Sequence, residues 1–265
     1  MYTFNYHRPA TLEEAQSLFA EADDGVFIAG GMTMIPTLKA RLASPSDVID
    51  LAGLEALTGI SVDAGVVTIG ALTCHADVAS SAAVREAIPA LADVAGAIGD
   101  AQVRNRGTLG GSVANSDPAA DYPAAVVALG ATIHTTARTL ASDAFFEDLF
   151  ETALDEGEII TKIEFPIPAR AAYAKFPNPA SRYAIVGVMV AETGDGIRVG
   201  VTGAGPCAFR ATDLEAALGA NMAADAVDGV TIDDDRFNSD LHASAEYRAH
   251  LVGVMAKRAV AQLVG

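Results

Sequence analysis

Gly99-Asp100-Ala101-Gln102-Val103-Arg104-Asn105-Arg106-Gly107-Thr108-Leu109-Gly110-Gly111-Ser112-Val113-Ala114-Asn115-Ser116-Asp117-Pro118-Ala119-Ala120-Asp121-Tyr122-Pro123 is the most specific stretch in this 265-residue chain. It sets a glycine pair between Thr108 and Ser112 after two arginines, and an earlier segment, Ala29-Gly30-Gly31-Met32-Thr33, repeats that chemistry behind a short apolar run. A diphosphate needs such a lining. Glycines let the backbone approach phosphate oxygens, a following helix start presents unpaired N–H donors, and Thr or Ser hydroxyls add further donors. Either pair alone is also what an ordinary turn looks like. Neither matches G-x-G-x-x-G, which disfavours a nicotinamide Rossmann site.

Outward from these segments the chain divides into three expected units. In residues 1–56, Thr11-Leu12-Glu13-Glu14 reads as a capping box opening a helix to about Ala22. Val26 to Ala29 reads as a buried strand, Met34 to Leu42 as a helix and Val48 to Leu51 as a second strand. Residues 57–166 begin with a hairpin, Ile60 to Val62 and Val66 to Ile69. Helices follow near His75 to Ser80 and Val84 to Ile98, then the glycine-rich tract, a helix about Ala119 to Leu129, and strands near Thr132 to Thr136 and Ile159 to Phe165. Pro166, Pro168, Pro177 and Pro179 mark the boundary to residues 167–265. There Ile185 to Ala191 and Ile197 to Thr202 flank Gly194-Asp195-Gly196 as a hairpin, and Ala211 to Leu218 and Ala243 to Leu263 have helical spacing.

Composition excludes several function classes. With 51% apolar residues and 19% charged, the chain is far from a disordered composition. Seventeen Lys+Arg against 34 Asp+Glu give a formal charge of −17, with no basic patch, so nucleic acid and anionic membrane are poor partners. The longest uncharged run in the middle of the chain, Tyr122 to Ala137, is too short and polar to span a bilayer, and the first residues lack a secretory pattern. A cytoplasmic protein is expected. Two cysteines, Cys74 and Cys207, cannot hold an iron–sulfur cluster or a four-thiolate zinc site, so any metal redox centre belongs to another chain.

The central tract, together with Ala29 to Pro36, Gly70-Ala71-Leu72-Thr73, Lys175-Phe176, Pro179 to Ala184, Ser239-Asp240-Leu241-His242 and Tyr247-Arg248, resembles the FAD-binding middle subunit of the molybdenum hydroxylases, of the aerobic carbon monoxide dehydrogenase and xanthine dehydrogenase type. The resemblance covers nearly the whole chain. It implies an α+β fold: two α/β subdomains holding non-covalent FAD between them, then a C-terminal α+β domain with an antiparallel sheet and helices. It implies that Ala29, Gly30, Gly31, Met32 and Thr33 form the first diphosphate loop, and Thr108, Leu109, Gly110, Gly111 and Ser112 the second. Asp121 matches a position that hydrogen-bonds the ribityl or ribose hydroxyls, Ile98 an apolar residue near the adenine, and Ile160 one whose main chain meets the cofactor. Lys175 matches a lysine facing the flavin, and Tyr183 an aromatic beside the isoalloxazine ring.

The implied role is electron transfer. A large partner carries the molybdenum cofactor, a small one two [2Fe-2S] clusters, and FAD on this chain passes electrons to an external acceptor within a dimer of heterotrimers. No catalytic side chain and no metal ligand is expected here. Rival readings are a stand-alone FAD-dependent oxidase or reductase, and a scaffold that kept the fold without the cofactor. Met32 stands where many relatives carry a polar residue, and Leu109 where Ile is common. His75 and His134 are expected as surface or satisfied structural histidines, Arg104 and Arg106 as structural or interface residues rather than diphosphate ligands, Cys74 as a small packing residue, and Asp233-Asp234-Asp235 as a solvated loop rather than a metal site, since three adjacent carboxylates cannot converge on one ion without help.

Overall fold

A computed structural model describes residues 1–264; Gly265, the last residue of the expected third unit, lies outside the described residues. Strands β1 (Asn5–His7), β2 (Gly25–Ile28) and β3 (Asp47–Asp50) form a parallel sheet in the order β1-β3-β2. Parallel neighbours need crossovers, here α1 (Leu12–Glu21) and α2 (Met34–Lys39). The capping box forms: Thr11 Oγ1 accepts the Glu14 N–H at 3.1 Å, and the Glu14 carboxylate accepts the Ala10 N–H at 2.7 Å. Helix α2 stops at Lys39 rather than Leu42. Arg41 takes φ 59°, its N–H donates to Leu38 O, and the Leu42 N–H donates to Thr37 O, a Schellman closure with arginine where glycine is usual.

The second sheet is antiparallel. It contains β4 (Ile60–Asp63), β5 (Val66–Gly70), β6 (Thr132–Thr135), β7 (Thr139–Ala141) and, two short strands later, β10, in the order β4-β5-β10-β6-β7. Those two strands, β8 (Phe146–Asp148) and β9 (Glu151–Thr152), pair only with each other; β10 is Ile160–Pro166. Strands β7 to β9 were unexpected because each is too short for an alternating pattern. Helix α3 (His75–Ser80) follows the hairpin as expected, but the helix expected over Val84 to Ile98 is two, α4 (Ala82–Ala87) and α5 (Pro89–Ala97). Pro89 forces Ile88 out of the helical region (φ −139°, ψ 76°) and then starts α5. The glycine-rich tract holds α6 (Ala101–Arg104) and α7 (Leu109–Asn115), and α8 (Tyr122–Ala128) starts three residues late because Asp117 to Ala120 close a turn.

Strands β11 (Arg170–Pro177), β12 (Ala184–Thr193), β13 (Gly196–Thr202) and β14 (Phe209–Arg210) make the third sheet, antiparallel in that order, with α9 (Thr212–Ala220) and α10 (Ala245–Val264) packed on it. The prolines around it hid β11 from the sequence reading. Strand β12 is buried on both faces: Val188 and Val190 join the core under α10, while Met189 and Ala191 join that of the second sheet. Helix α8 is buried along its length and lies against β12 and β13. Its start, at Asp121, therefore sits where the second and third sheets meet. Among the described residues, no helix is long and apolar enough to cross a membrane.

Candidate functional site

Buried Ile28 ends β2, and the chain turns at once through Ala29-Gly30-Gly31. Both glycines are required. A Cβ on Gly30 would lie 1.9 Å from the Arg106 carbonyl oxygen, so the first loop rests directly on the backbone before the second; Gly31 has φ +72°. Among the described residues, the N–H groups of Gly30, Gly31, Met32 and Thr33 donate to no protein acceptor. Consecutive unpaired N–H groups in a tight turn form a concavity suited to phosphate oxygens.

In the second loop Thr108 N–H has no protein acceptor among the described residues, but the main-chain donors after it are spent. Thr108 caps α7 by accepting the Gly111 N–H at 3.2 Å; Leu109 N–H donates to Thr73 O, Gly110 N–H to Ala71 O, and Ser112 N–H to Thr108 O. Those four donors are committed to holding the loop in place. Leu109 itself is fully buried in the core of the second sheet, so its contribution is packing.

A cleft of about 740 Å³ runs between the two loops and on towards the third sheet. Every sequence-expected site residue lines it except Leu109 and Lys175: Ala29, Gly30, Gly31, Met32, Thr33, Ile98, Thr108, Gly110, Gly111, Ser112, Asp121, Ile160 and Tyr183 share one cavity. Lys175 sits behind Asp121. Its Nζ donates to Asp121 Oδ2 at 2.8 Å and to Ala97 O at 3.3 Å, while the Tyr173 hydroxyl donates to Asp121 Oδ1 at 2.6 Å. Burial pushes the Asp121 carboxyl up, opposed by the ammonium and the phenol; burial also pushes Tyr173 up, so that hydroxyl stays a donor. Tyr183, 46% exposed, stands at the rim beside Asp117, whose carboxyl burial also raises.

His75 corrects the sequence reading: it is 4% exposed, lines the cleft, and its Nδ1 is buried without a partner. Phe150 was also missed; it lines the cleft from the β8–β9 turn with φ 57°, and nothing periodic marks it. His134 is structural, its Nε2 2.9 Å from Glu164. Arg104 is structural too, donating to Ile98 O and Gly99 O, whereas Arg106 is exposed on a separate groove beside Cys74. Asp233, Asp234 and Asp235 lie in a loop that folds back at Asp235 N–H to Asp233 Oδ1, which brings one carboxylate oxygen of each within 4.8 Å of the others.

The donor set fits FAD: unpaired N–H groups for a diphosphate, apolar Ile98 and Ile160 for flat rings, a buried carboxylate for hydroxyls, and a half-exposed aromatic at the rim. Residues 2–168 match the family described as FAD binding domain in molybdopterin dehydrogenase, and residues 171–263 the CO dehydrogenase flavoprotein C-terminal domain. The chain belongs to the molybdenum hydroxylase flavoprotein family. It is 33% identical to the carbon monoxide dehydrogenase medium chain of Hydrogenophaga pseudoflava, over 97% of this chain and 96% of the relative. Identity to the nicotine 6-hydroxylase medium subunit of Paenarthrobacter nicotinovorans is also 33%, with the same coverage. A crystal structure of the Cu,Mo-CO dehydrogenase superposes with a TM-score of 0.92 at 30% identity, covering 98% of each chain. This flavoprotein is thus an FAD-binding oxidoreductase subunit of mixed α and β architecture.

The neutral His75 has a measurable consequence. Burial first, and then the Arg104 charge, lower its pKa from 6.5 to about 4. Between those values the unfolded chain binds a proton that the folded chain does not, so this group's share of stability is present above pH 6.5 and is lost as the pH falls towards 4. The full loss is about 3 kcal/mol. The gap in urea-unfolding free energy between wild type and His75→Gln should shift by about 2 to 3 kcal/mol between pH 7.5 and 4.5; a gap independent of pH contradicts a neutral buried imidazole.

Proposed function

We propose that this chain is the electron-transferring flavin subunit of a cytoplasmic three-chain molybdenum hydroxylase, assembled as a dimer of heterotrimers. The carrying observation is the row of unpaired N–H groups from Gly30 to Thr33 facing Thr108 and Ser112 across one cleft. Bound FAD supplies a carrier that takes electrons singly from partner iron–sulfur clusters and hands them to an external acceptor. The first loop grips the diphosphate through main chain, and Thr108 and Ser112 offer hydroxyls opposite. Ile98 and Ile160 cover flat apolar surface, Asp121 accepts from sugar-alcohol hydroxyls, and Tyr183 shields one face of the ring system. Lys175 acts through Asp121, holding that carboxyl in place and opposing the upward push of burial. FAD is held without a covalent bond. In this reading the first two units, 1–56 and 57–166, clasp the cofactor and the third, 167–265, closes the ring end; choice of substrate belongs to the molybdenum partner.

The test uses the purified complex supplied with carbon monoxide or nicotine, the substrates named for the relatives, and an acceptor dye. Removing FAD should abolish dye reduction while the iron–sulfur signal still develops on adding substrate. Dye reduction that survives FAD removal would place the electron exit on another chain. Substrate turnover by this chain alone would favour a stand-alone oxidase.

A further inference from the structure

The second-loop wall of the cleft has a donor problem. Leu109, Gly110, Gly111 and Ser112 all give their N–H groups to protein acceptors, so of this loop's main-chain donors Thr108 N–H alone is left for an anion, where the first loop offers four in a row. One buried side chain stands there without a partner. His75 opens α3, its backbone N–H donates to Gly107 O at 3.0 Å, and its ring is pinned between Gly107 and the ring of Tyr122, 5.3 Å away between centroids. A Cβ on Gly107 would come within 2.5 Å of Nε2, so the missing side chain at 107 is the space in front of that nitrogen.

We infer that His75 is a cofactor-binding residue, a neutral imidazole whose Nε2–H donates to an oxygen of the FAD diphosphate from the second-loop side. The inference rests on the flavoprotein reading and names a residue that reading does not use. Nδ1 is sealed from the cleft with no partner, and a bare lone pair is cheaper to seal than an N–H, which puts the proton on Nε2. Nε2 also has no protein partner and is not sealed, leaving it free to meet an oxygen in the cleft that His75 lines. The lowered pKa supports the neutral form. The phosphate is then held from both sides, by main-chain N–H groups of the first loop and by the Thr108 hydroxyl and the imidazole of the second.

The full chain, freed of FAD and then reloaded, tests this by histidine-selective 15N NMR. The expected result is a single buried imidazole protonated at Nε2 in both states, whose Nε2 resonance moves on adding FAD and on adding ADP, and stays in place on adding riboflavin, which has no phosphate. A resonance that ignores FAD while flavin fluorescence shows binding overturns the inference and leaves the flavoprotein reading standing. Failure of FAD to bind at all overturns that reading instead. A movement on riboflavin and none on ADP would assign His75 to the ribityl chain and overturn the diphosphate contact. His75→Gln, which keeps an N–H donor, should weaken FAD binding less than fivefold, and His75→Leu on the order of 30-fold, with far-UV dichroism confirming the fold; equal affinities for the two variants would also overturn it.

Discussion

Gly30→Val should lower FAD affinity by on the order of 100-fold or more, a loss of about 2.7 kcal/mol of binding, in a chain whose second and third sheets remain folded. The new side chain meets the Arg106 carbonyl, which a Cβ alone would approach to 1.9 Å. A carbonyl of main chain cannot swing aside as a flexible side chain can, so the first loop must lift from the second. That movement widens the gap between Gly30–Thr33 and Thr108–Ser112, and a diphosphate bound by both loses one side. The clash lies outside the cores under α10 and around α8, so the dichroism of the folded chain should persist. Gly219→Ala is the control. Gly219 lies in α9 with nothing within 4 Å of its added Cβ, so FAD affinity should be unchanged and stability equal or up to about 1 kcal/mol higher. Fluorescence titration with FAD reads both variants, and equal affinities for Gly30→Val and wild type would contradict the close approach of the loops.

Lys175→Met should destabilise the chain by about 3 to 5 kcal/mol in urea unfolding, because it leaves a carboxylate buried without its cation. Asp121 is 4% exposed and Lys175 9% by side chain, and their contact is 2.8 Å. Burial already pushes the Asp121 carboxyl up, and the ammonium is the first force that opposes it; without that cation the burial cost stands uncompensated. Asp121 also loses the 2.8 Å contact that fixes its position for sugar-alcohol hydroxyls, so FAD affinity should fall together with stability. The double variant Lys175→Met with Asp121→Asn removes both charges and should recover at least half of the lost stability, since a neutral pair avoids the uncompensated ion. If the single variant is as stable as wild type, or the double less stable than the single, the buried pair is not the support assigned to it.

The two loops were legible in the sequence because glycine and small hydroxyl residues encode local backbone conformation, as Gly31 does with its positive φ, although the need for glycine at 30 comes from the distant Arg106 carbonyl. Other features depend on distant partners. Lys175 reaches Asp121 across 54 positions, and no spacing rule links a strand residue of the third sheet to the start of α8. Leu109 is conspicuous in the second loop, yet Thr73 takes its N–H and the core takes its side chain. The same non-local logic hid His75. A lone histidine carries no pattern, and its place in the cleft follows from Gly107 having no side chain 32 positions later. Strand β11 was obscured for the opposite reason: prolines that bound a strand look the same in sequence as prolines that forbid one.

Acid precipitation of the purified full chain, with an absorption spectrum before and mass analysis of the supernatant after, tests the central claim most directly. The account predicts a flavin spectrum, one equivalent of FAD released into the supernatant, and none left on the precipitated chain, with the same result after FAD-free protein is incubated with FAD. A colourless chain that takes up no added FAD, or a flavin that stays covalently with the precipitate, would contradict it.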